Sequence, residues 1–292
     1  MAKGTITEKP PAIVIKLDSI TGLDTARILS RYGVPVVGIA DDPRHYCVKT
    51  NSCREVFFTD TSGEGLVRTL LGIAARFKSK PVLFPCSDES VQVISAARDA
   101  LGEFYSFVMP EDDVLLMYMN KESFYKYAED KGYHVPGTFF PEKKAELETI
   151  LAEADLPYII KPALKSAEWI ERFKDKVIKV STREELRDVF EKGSKITERM
   201  IVQKWIKGDD SKLFSCIFYY GGDGECKVSF VSRKLRQWYT ENGDACLAEE
   251  CRNDEVSDIT HDLLSNAGFA GIGSIEYKLD EQSGTYYIIE AN

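Results

Sequence analysis

The sequence predicts an α/β domain followed by an α+β domain. Two patterns carry that prediction. Over residues 12–110, continuously apolar strands alternate with amphipathic helices, as in a parallel sheet covered on both faces. From Arg199 onward the alternation gives way to strand–turn–strand units, which join antiparallel strands. A chain of 292 residues has room for two domains, each with its own core.

In the first domain, Ala12 to Leu17 is a β-branched run and reads as a strand. Asp18 to Leu23 is a loop. Asp24 to Tyr32 is a helix, stopped by Gly33 with Pro35 beyond it. Val34 to Ala40 is the next strand, followed by a strand at Pro81–Pro85, a helix from Glu89 to Leu101 and a strand from Tyr105 to Met109. The loop after the first strand holds one glycine rather than G-x-G-x-x-G, which argues against a bound NAD. Cys86-Ser87-Asp88-Glu89 lies at the carboxyl end of a strand, where open α/β sheets place ligands. Asp88 there either touches a substrate or caps the helix that follows.

Pro110-Glu111-Asp112-Asp113 breaks the pattern and opens a new region. Asn120 has the chemistry of an N-cap for a helix from Lys121 to Lys131, with Gly132 as its stop. Pro136-Gly137-Thr138 leads into an extended stretch. Leu156 to Pro162 is a strand, and Pro162 holds Lys161 extended. Ser181-Thr182-Arg183-Glu184-Glu185 carries a capping box for a helix to Lys192, ended by Gly193. Arg199 to Ile206 is a strand. Leu213–Tyr220 and Glu225–Arg233 form a hairpin across Gly221-Gly222-Asp223-Gly224. Asp254 to Ala267 is a helix closed by Gly268, and a last hairpin follows.

Composition excludes several classes of function. The net charge of −9 argues against a general nucleic-acid or anionic-membrane binder, so neither is an expected partner. No apolar run approaches the roughly 20 residues of a membrane span. Met1 to Pro10 lacks the apolar core of a signal peptide. Seven scattered cysteines without a Cys-x-x-Cys pair, and three histidines, suit reduced thiols in a cytoplasmic protein better than a zinc site.

The most informative chemistry lies in the last hairpin. A turn centred on Ser283 would place Glu276 opposite Glu290, and Asn292 on the same face as Glu290. Two like charges directly opposite are destabilising. A divalent cation between them removes the conflict, and carboxylate and amide oxygens suit Mg²⁺, which binds together with nucleotide phosphates. Lys121 starts a helix, where its charge opposes the macrodipole and an anion would relieve it; a solvated surface lysine is the simpler alternative. Lys161 interrupts the apolar run Tyr158-Ile159-Ile160, as a strand-end residue or as a phosphate ligand. Gln203, Lys204, Trp205 and Ile206 precede Gly208-Asp209-Asp210: an adenine would sit against Trp205 and Ile206, and Asp210 would hold ribose hydroxyls. Arg233, Lys234 and Arg236 form a basic cluster, either a solvated face or a seat for a carboxylate or acyl-phosphate.

A lysine on a helix start, a Lys-Pro about forty residues on, a Gln-Lys-x-Ile strand about forty further, then Glu…Glu-x-Asn: this order resembles the ATP-grasp superfamily along the whole chain. The resemblance implies a Rossmann-like pre-ATP-grasp domain at 1–110 and an ATP-grasp domain at 111–292, with two lobes clamping ATP between antiparallel sheets. It implies that Lys121 and Lys161 touch ATP phosphates, that Gln203 to Ile206 surround adenine, and that Asp210 takes the ribose. Glu276, Glu290 and Asn292 would then bind Mg²⁺. The Arg-Lys-Leu-Arg-Gln stretch and the Lys-Pro-Ala loop resemble the predicted carboxylate–amine ligases, D-aspartate ligase included. The implied reaction joins a small-molecule carboxylate and an amine, an amino acid among the candidates, through an acyl-phosphate with release of ADP. Arg233 is the favoured partner of that acyl-phosphate, with Lys234 and Arg236 behind it. An ATP-dependent carboxylase, a carboxylate–thiol ligase and a nucleotide-binding module without catalysis stay open. So does association, between a monomer and a homodimer.

Three departures stand out. The phosphate-covering loop of the superfamily is often glycine-rich, whereas Ala163 to Trp169 holds no glycine, so Lys165 or Ser166 would contribute instead. Gln203 stands where an acid is common, and can still accept from an adenine amino group. The superfamily commonly continues Glu-x-Asn with Pro-Arg; the sequence stops at Asn292, from which a reduced activity is expected.

Overall fold

The structure, a computed structural model, describes residues 9–153, 155–163, 167–238 and 243–292. The chain divides into two compact units, Met1–Asp112 and Asp113–Asn292.

The first unit contains β1 (Ala12–Ile15), α1 (Ile20–Arg31), β2 (Val36–Ala40), β3 (Glu55–Phe58), α2 (Glu64–Ile73), β4 (Val82–Pro85), α3 (Asp88–Ala96) and α4 (Arg98–Gly102). Its strands form a parallel sheet in the order β3-β2-β1-β4. Apolar side chains leave β1 on both faces. Ile13 and Ile15 pack with Leu66, Leu70 and Ile94 on one side, and Val14 packs with Ala26 and Val36 on the other. That is the two-sided burial which the continuous apolar strands predict.

Four details differ from expectation. Helix α1 begins at Ile20 rather than Asp24, because the Ser19 side chain accepts from the Gly22 amide at 2.9 Å. Gly22 is needed there for space, since a Cβ would lie 2.2 Å from the Lys16 carbonyl oxygen. The helix expected from Glu89 to Leu101 is two helices meeting at Ala97. Its cap is Ser87, in a capping box with Ser90, so Asp88 is not the cap; it lies exposed in the first turn of α3, where its charge suits the helix dipole. Tyr105–Met109 is not a strand: it contributes one bridge, Val82 to Ser106, beside β4.

The second unit contains α5 (Asp112–Met119), which starts at the boundary, then α6 (Lys121–Asp130), β5 (Thr138–Phe139), α7 (Lys144–Glu153), β6 (Tyr158–Pro162), α8 (Ala167–Phe173), β7 (Ile178–Val180), α9 (Arg183–Gly193) and β8 (Met200–Lys204). There follow β9 (Leu213–Tyr220), β10 (Cys226–Trp238), β11 (Asp244–Cys251), α10 (Asp254–Ala267), β12 (Gly271–Leu279) and β13 (Tyr286–Ala291). Among the described residues these strands make two antiparallel sheets, β5-β8-β6-β7 and β11-β10-β9-β12-β13. The predicted caps hold. Asn120 accepts from Ser123, Thr182 forms its box with Glu185, and Gly268 closes α10 at φ +65°.

Each sheet packs one face into a hydrophobic core. In the four-stranded sheet Tyr158, Ile160, Val180 and Val202 pack against Leu147, Trp169 and Leu186. In the five-stranded sheet Phe214, Cys216, Val231, Ile275 and Tyr277 pack against Phe124, Val256 and Leu263. Alternation therefore turns Ile159, Lys161, Lys179 and Gln203 to the other face of the first sheet, and Ser215, Ser232, Glu276, Lys278 and Glu290 to the other face of the second. Among the described residues no helix is long and apolar enough to cross a membrane.

Candidate nucleotide site

The last hairpin pairs as its sequence predicts, with Glu276 directly opposite Glu290. A register shift follows at once, as Tyr277 faces Ile288, so Ile289 is the extra residue of a bulge. Like carboxylates in register would repel. The structure answers with a lysine for each. Lys234 donates to Glu276 at 2.8 Å, and its side chain is only 10% exposed. Lys121, the first residue of α6, donates to Glu290. An anion thus does meet the cation at that helix start. One turn later Tyr125 donates to the Ile289 carbonyl, and burial raises its phenol.

Lys161 completes a group of charges. Its ammonium is pushed down to about 8, by burial first and then by the Lys121 charge, with the Glu290 carboxylate opposing both. Its hydrogen-bond partner is the Gln203 amide oxygen at 3.5 Å. Gln203 is 2% exposed and donates to Thr138 Oγ1 at 2.8 Å. Three ammonium groups here face two carboxylates. The surplus is positive, as a polyphosphate requires.

The segment from β8 into β9 is held separately. Trp205 lies under the Lys179 ammonium, 4.3 Å from the ring centroid, and Ile206 is buried. The Asp210 carboxylate accepts from the Gln237 backbone amide at 3.1 Å and from its side chain at 2.8 Å.

No family model matches the chain. A D-aspartate ligase from Enterococcus faecium (strain Aus0004) is 27% identical over 244 residues, 77% of this chain and 57% of that ligase. An N5-carboxyaminoimidazole ribonucleotide synthetase solved as its ADP complex superposes with a TM-score of 0.70 at 13% identity, over 98% of this chain and 70% of that one. An L-amino acid ligase from Bacillus licheniformis gives 0.68 at 14%, over 98% and 67%. The biotin carboxylase domain of the Hydrogenobacter thermophilus 2-oxoglutarate carboxylase, solved with MgADP and bicarbonate, gives 0.69 at 14%, over 96% and 63%. The fold is that of the ATP-grasp ligases. Among proteins of that fold the chain resembles the carboxylate–amine ligases, and it spans 57% of the length of its D-aspartate ligase relative.

Set against that ATP-grasp frame, the expected site residues fall into two groups. Lys121, Lys161, Lys234, Gln203, Glu276 and Glu290 are linked by the contacts above. The others are placed elsewhere. Lys204 shares a face with Tyr158 and reaches Asp155 at 2.6 Å, which raises its ammonium. Arg233 pairs across strands with Glu249, its Nε 3.1 Å from the carboxylate, so it is Lys234 and not Arg233 that meets the hairpin carboxylates. The reason is strand phase: Arg233 lies opposite Phe214, on the face that packs beneath α10. Arg236 is exposed. Asn292 is exposed too, and its backbone pairs with Ser274 at 2.7 and 2.8 Å. Lys165 and Ser166 lie outside the described residues.

Gln237 and Lys278 were not foreseen. Both are nearly buried, at 5% and 6% exposed. Gln237 was hidden by two register shifts between Lys234 and Gln237, which defeat simple alternation. Lys278 was legible, as a lysine two positions after Glu276 and hence on the same face.

Proposed function

We propose that the chain carries the ATP site of a carboxylate–amine ligase, with an amino acid on one side of the new bond. The observation that carries this is the pair Glu276 and Glu290, in register on one sheet face and each neutralised by a lysine from another element. The donor set fits Mg²⁺: it is oxygen-only, and Mg²⁺ takes one or two carboxylates plus substrate phosphates. Among the described residues no group of three His, Cys, Asp or Glu could hold a metal by itself, in keeping with a cation that arrives with its nucleotide. Held by Glu276 and Glu290, it would screen the charge of the β- and γ-phosphates.

The residues then divide the work. Lys121 and Lys161 hold phosphate oxygens, Gln203, Trp205 and Ile206 border the adenine, and Asp210 accepts from the ribose. A substrate carboxylate oxygen attacks the γ-phosphorus as the bond to ADP breaks. Lys234 stabilises the charge on the acyl-phosphate, displacing Arg233 from the role first expected of it. The amine nitrogen then attacks the acyl carbon, phosphate leaves and the amine loses a proton. The D-aspartate ligase relative supports an amino acid as substrate. Seven free thiols among the described residues support a reducing cytoplasm.

Thermal-shift titration with ATP, with and without Mg²⁺, tests the site in the wild type and in Glu290→Ala. Binding to the folded state raises the melting temperature by mass action. A Mg-dependent rise that the variant loses is expected, followed by amino-acid-dependent release of ADP. A well-folded wild type with no rise overturns the proposal.

A further inference from the structure

The loop from β8 to β9 is fastened by two residues that touch no expected ligand. Lys278, on β12, donates to the Gly208 carbonyl at 2.8 Å and to the Asp209 carbonyl at 2.7 Å. A buried ammonium is costly unless it is paired, and these two carbonyls are among the partners that Lys278 finds. The loop is shaped to present them. Gly208 sits at φ +134°, which favours glycine, and a Cβ would meet Lys212 and the Leu279 carbonyl at 3.0–3.2 Å. Asp209 then turns the chain by accepting from the Ser211 amide at 2.8 Å and its hydroxyl at 2.6 Å.

The residue delivered by this turn is Asp210. Its two carboxylate oxygens are each fixed by Gln237, one through the backbone amide and one through the side chain. Such a two-point grip sets the plane of the carboxylate. Gln237 reaches it because Leu235 is the extra residue of a bulge in β10, which lets Lys234 and Gln237 serve the same region despite their odd spacing; the second shift leaves Cys246 as the extra residue on β11.

We propose that Lys278 and Gln237 are positioning residues that hold Asp210 for the sugar hydroxyls of the nucleotide, so that together they set selectivity for ribose. The inference rests on the proposed ATP site. Lys278 fixes the backbone on the near side of Asp210, and Gln237 fixes the carboxylate itself. A merely structural role would lower stability and weaken all nucleotides alike. A positioning role acts on the sugar alone.

The test is calorimetric titration of the full chain, with Mg²⁺, against ATP and against 2′,3′-dideoxy-ATP. The wild type should bind ATP at least about tenfold more tightly, as expected for hydrogen bonds to a charged group. In Lys278→Met and in Gln237→Leu that ratio should fall towards one, while affinity for the dideoxy nucleotide stays within about twofold of wild type. Lys278→Arg should recover part of the ratio. If Lys278→Met fails to fold, Gln237→Leu decides the matter. Folded variants that keep the wild-type ratio overturn the inference. So does a wild type that binds both nucleotides equally, although the ATP site then stands. A wild type that binds neither overturns the ATP site and this inference with it.

Discussion

The two antiparallel sheets of the second unit handle charge in opposite ways. On the four-stranded sheet Lys161 shares its face with Ile159, Ile201 and Gln203; its hydrogen-bond partner is an amide oxygen, and burial holds its ammonium down to about 8. On the five-stranded sheet Glu276 is matched by Lys234, and Glu290 by Lys121 from α6. The first arrangement gains outright when an anion arrives. The second is already neutral, so under the proposed function a cation between the carboxylates would free the lysines for the phosphates that come with it. Under the proposed function one sheet supplies affinity and the other supplies an exchange of partners.

The largest effect expected is on the exchange side. Glu276→Ala or Glu290→Ala should weaken Mg-dependent ATP binding by about 100-fold or more, because under the proposed function each removes a cation ligand. Calorimetry with and without Mg²⁺ checks this, and an unchanged Mg²⁺ dependence would erase the contrast between the sheets. Lys161→Met should weaken ATP binding about 10- to 100-fold, irrespective of Mg²⁺. The same residue gives a pH signature. Under the proposed function phosphate binds the charged ammonium, so affinity should be full below about 8 and fall as pH rises through it, approaching about tenfold per pH unit. Titrations from pH 6.5 to 9.5 should show this fall in the wild type and a flatter profile in Lys161→Met. Next, Lys234→Met should lower ADP release more than ATP affinity, since its proposed role is at the acyl-phosphate. The smallest effect belongs to its neighbour. Arg233 and Glu249 form a half-exposed pair, so Arg233→Met should leave ATP affinity within about twofold of wild type. A large loss there would return Arg233 to the site.

What the sequence revealed depended on how local the signal was. The Glu276–Glu290 register followed from a turn and a strand period, and the caps at Asn120, Thr182 and Gly268 from residue chemistry within one turn. The misses have longer-range causes. Strand β3 is an edge strand, exposed at both ends, and α2 starts from Gly63 without a side-chain cap, so neither carries a strong local mark. The choice between Arg233 and Lys234 depends on the phase of β10 against β9, which no pattern within β10 specifies. The Gln237 grip on Asp210 needed a bulge that alternation cannot reveal. The overall ATP-grasp order was legible because it is a succession of charged residues at element ends, where spacing survives even when boundaries shift.

The grip of α6 on the last strand has a mechanical side. Lys121 and Tyr125 are one helical turn apart, and they hold β13 at neighbouring points, a carboxylate at Glu290 and a carbonyl at the Ile289 bulge. Only the first contact lies among the charges that a phosphate would rearrange. If Lys121 swings to a new partner, the phenol still pins the bulge, and the strand carrying Glu290 keeps its place. The helix works like a two-pin hinge plate from which one pin can be drawn without the door dropping.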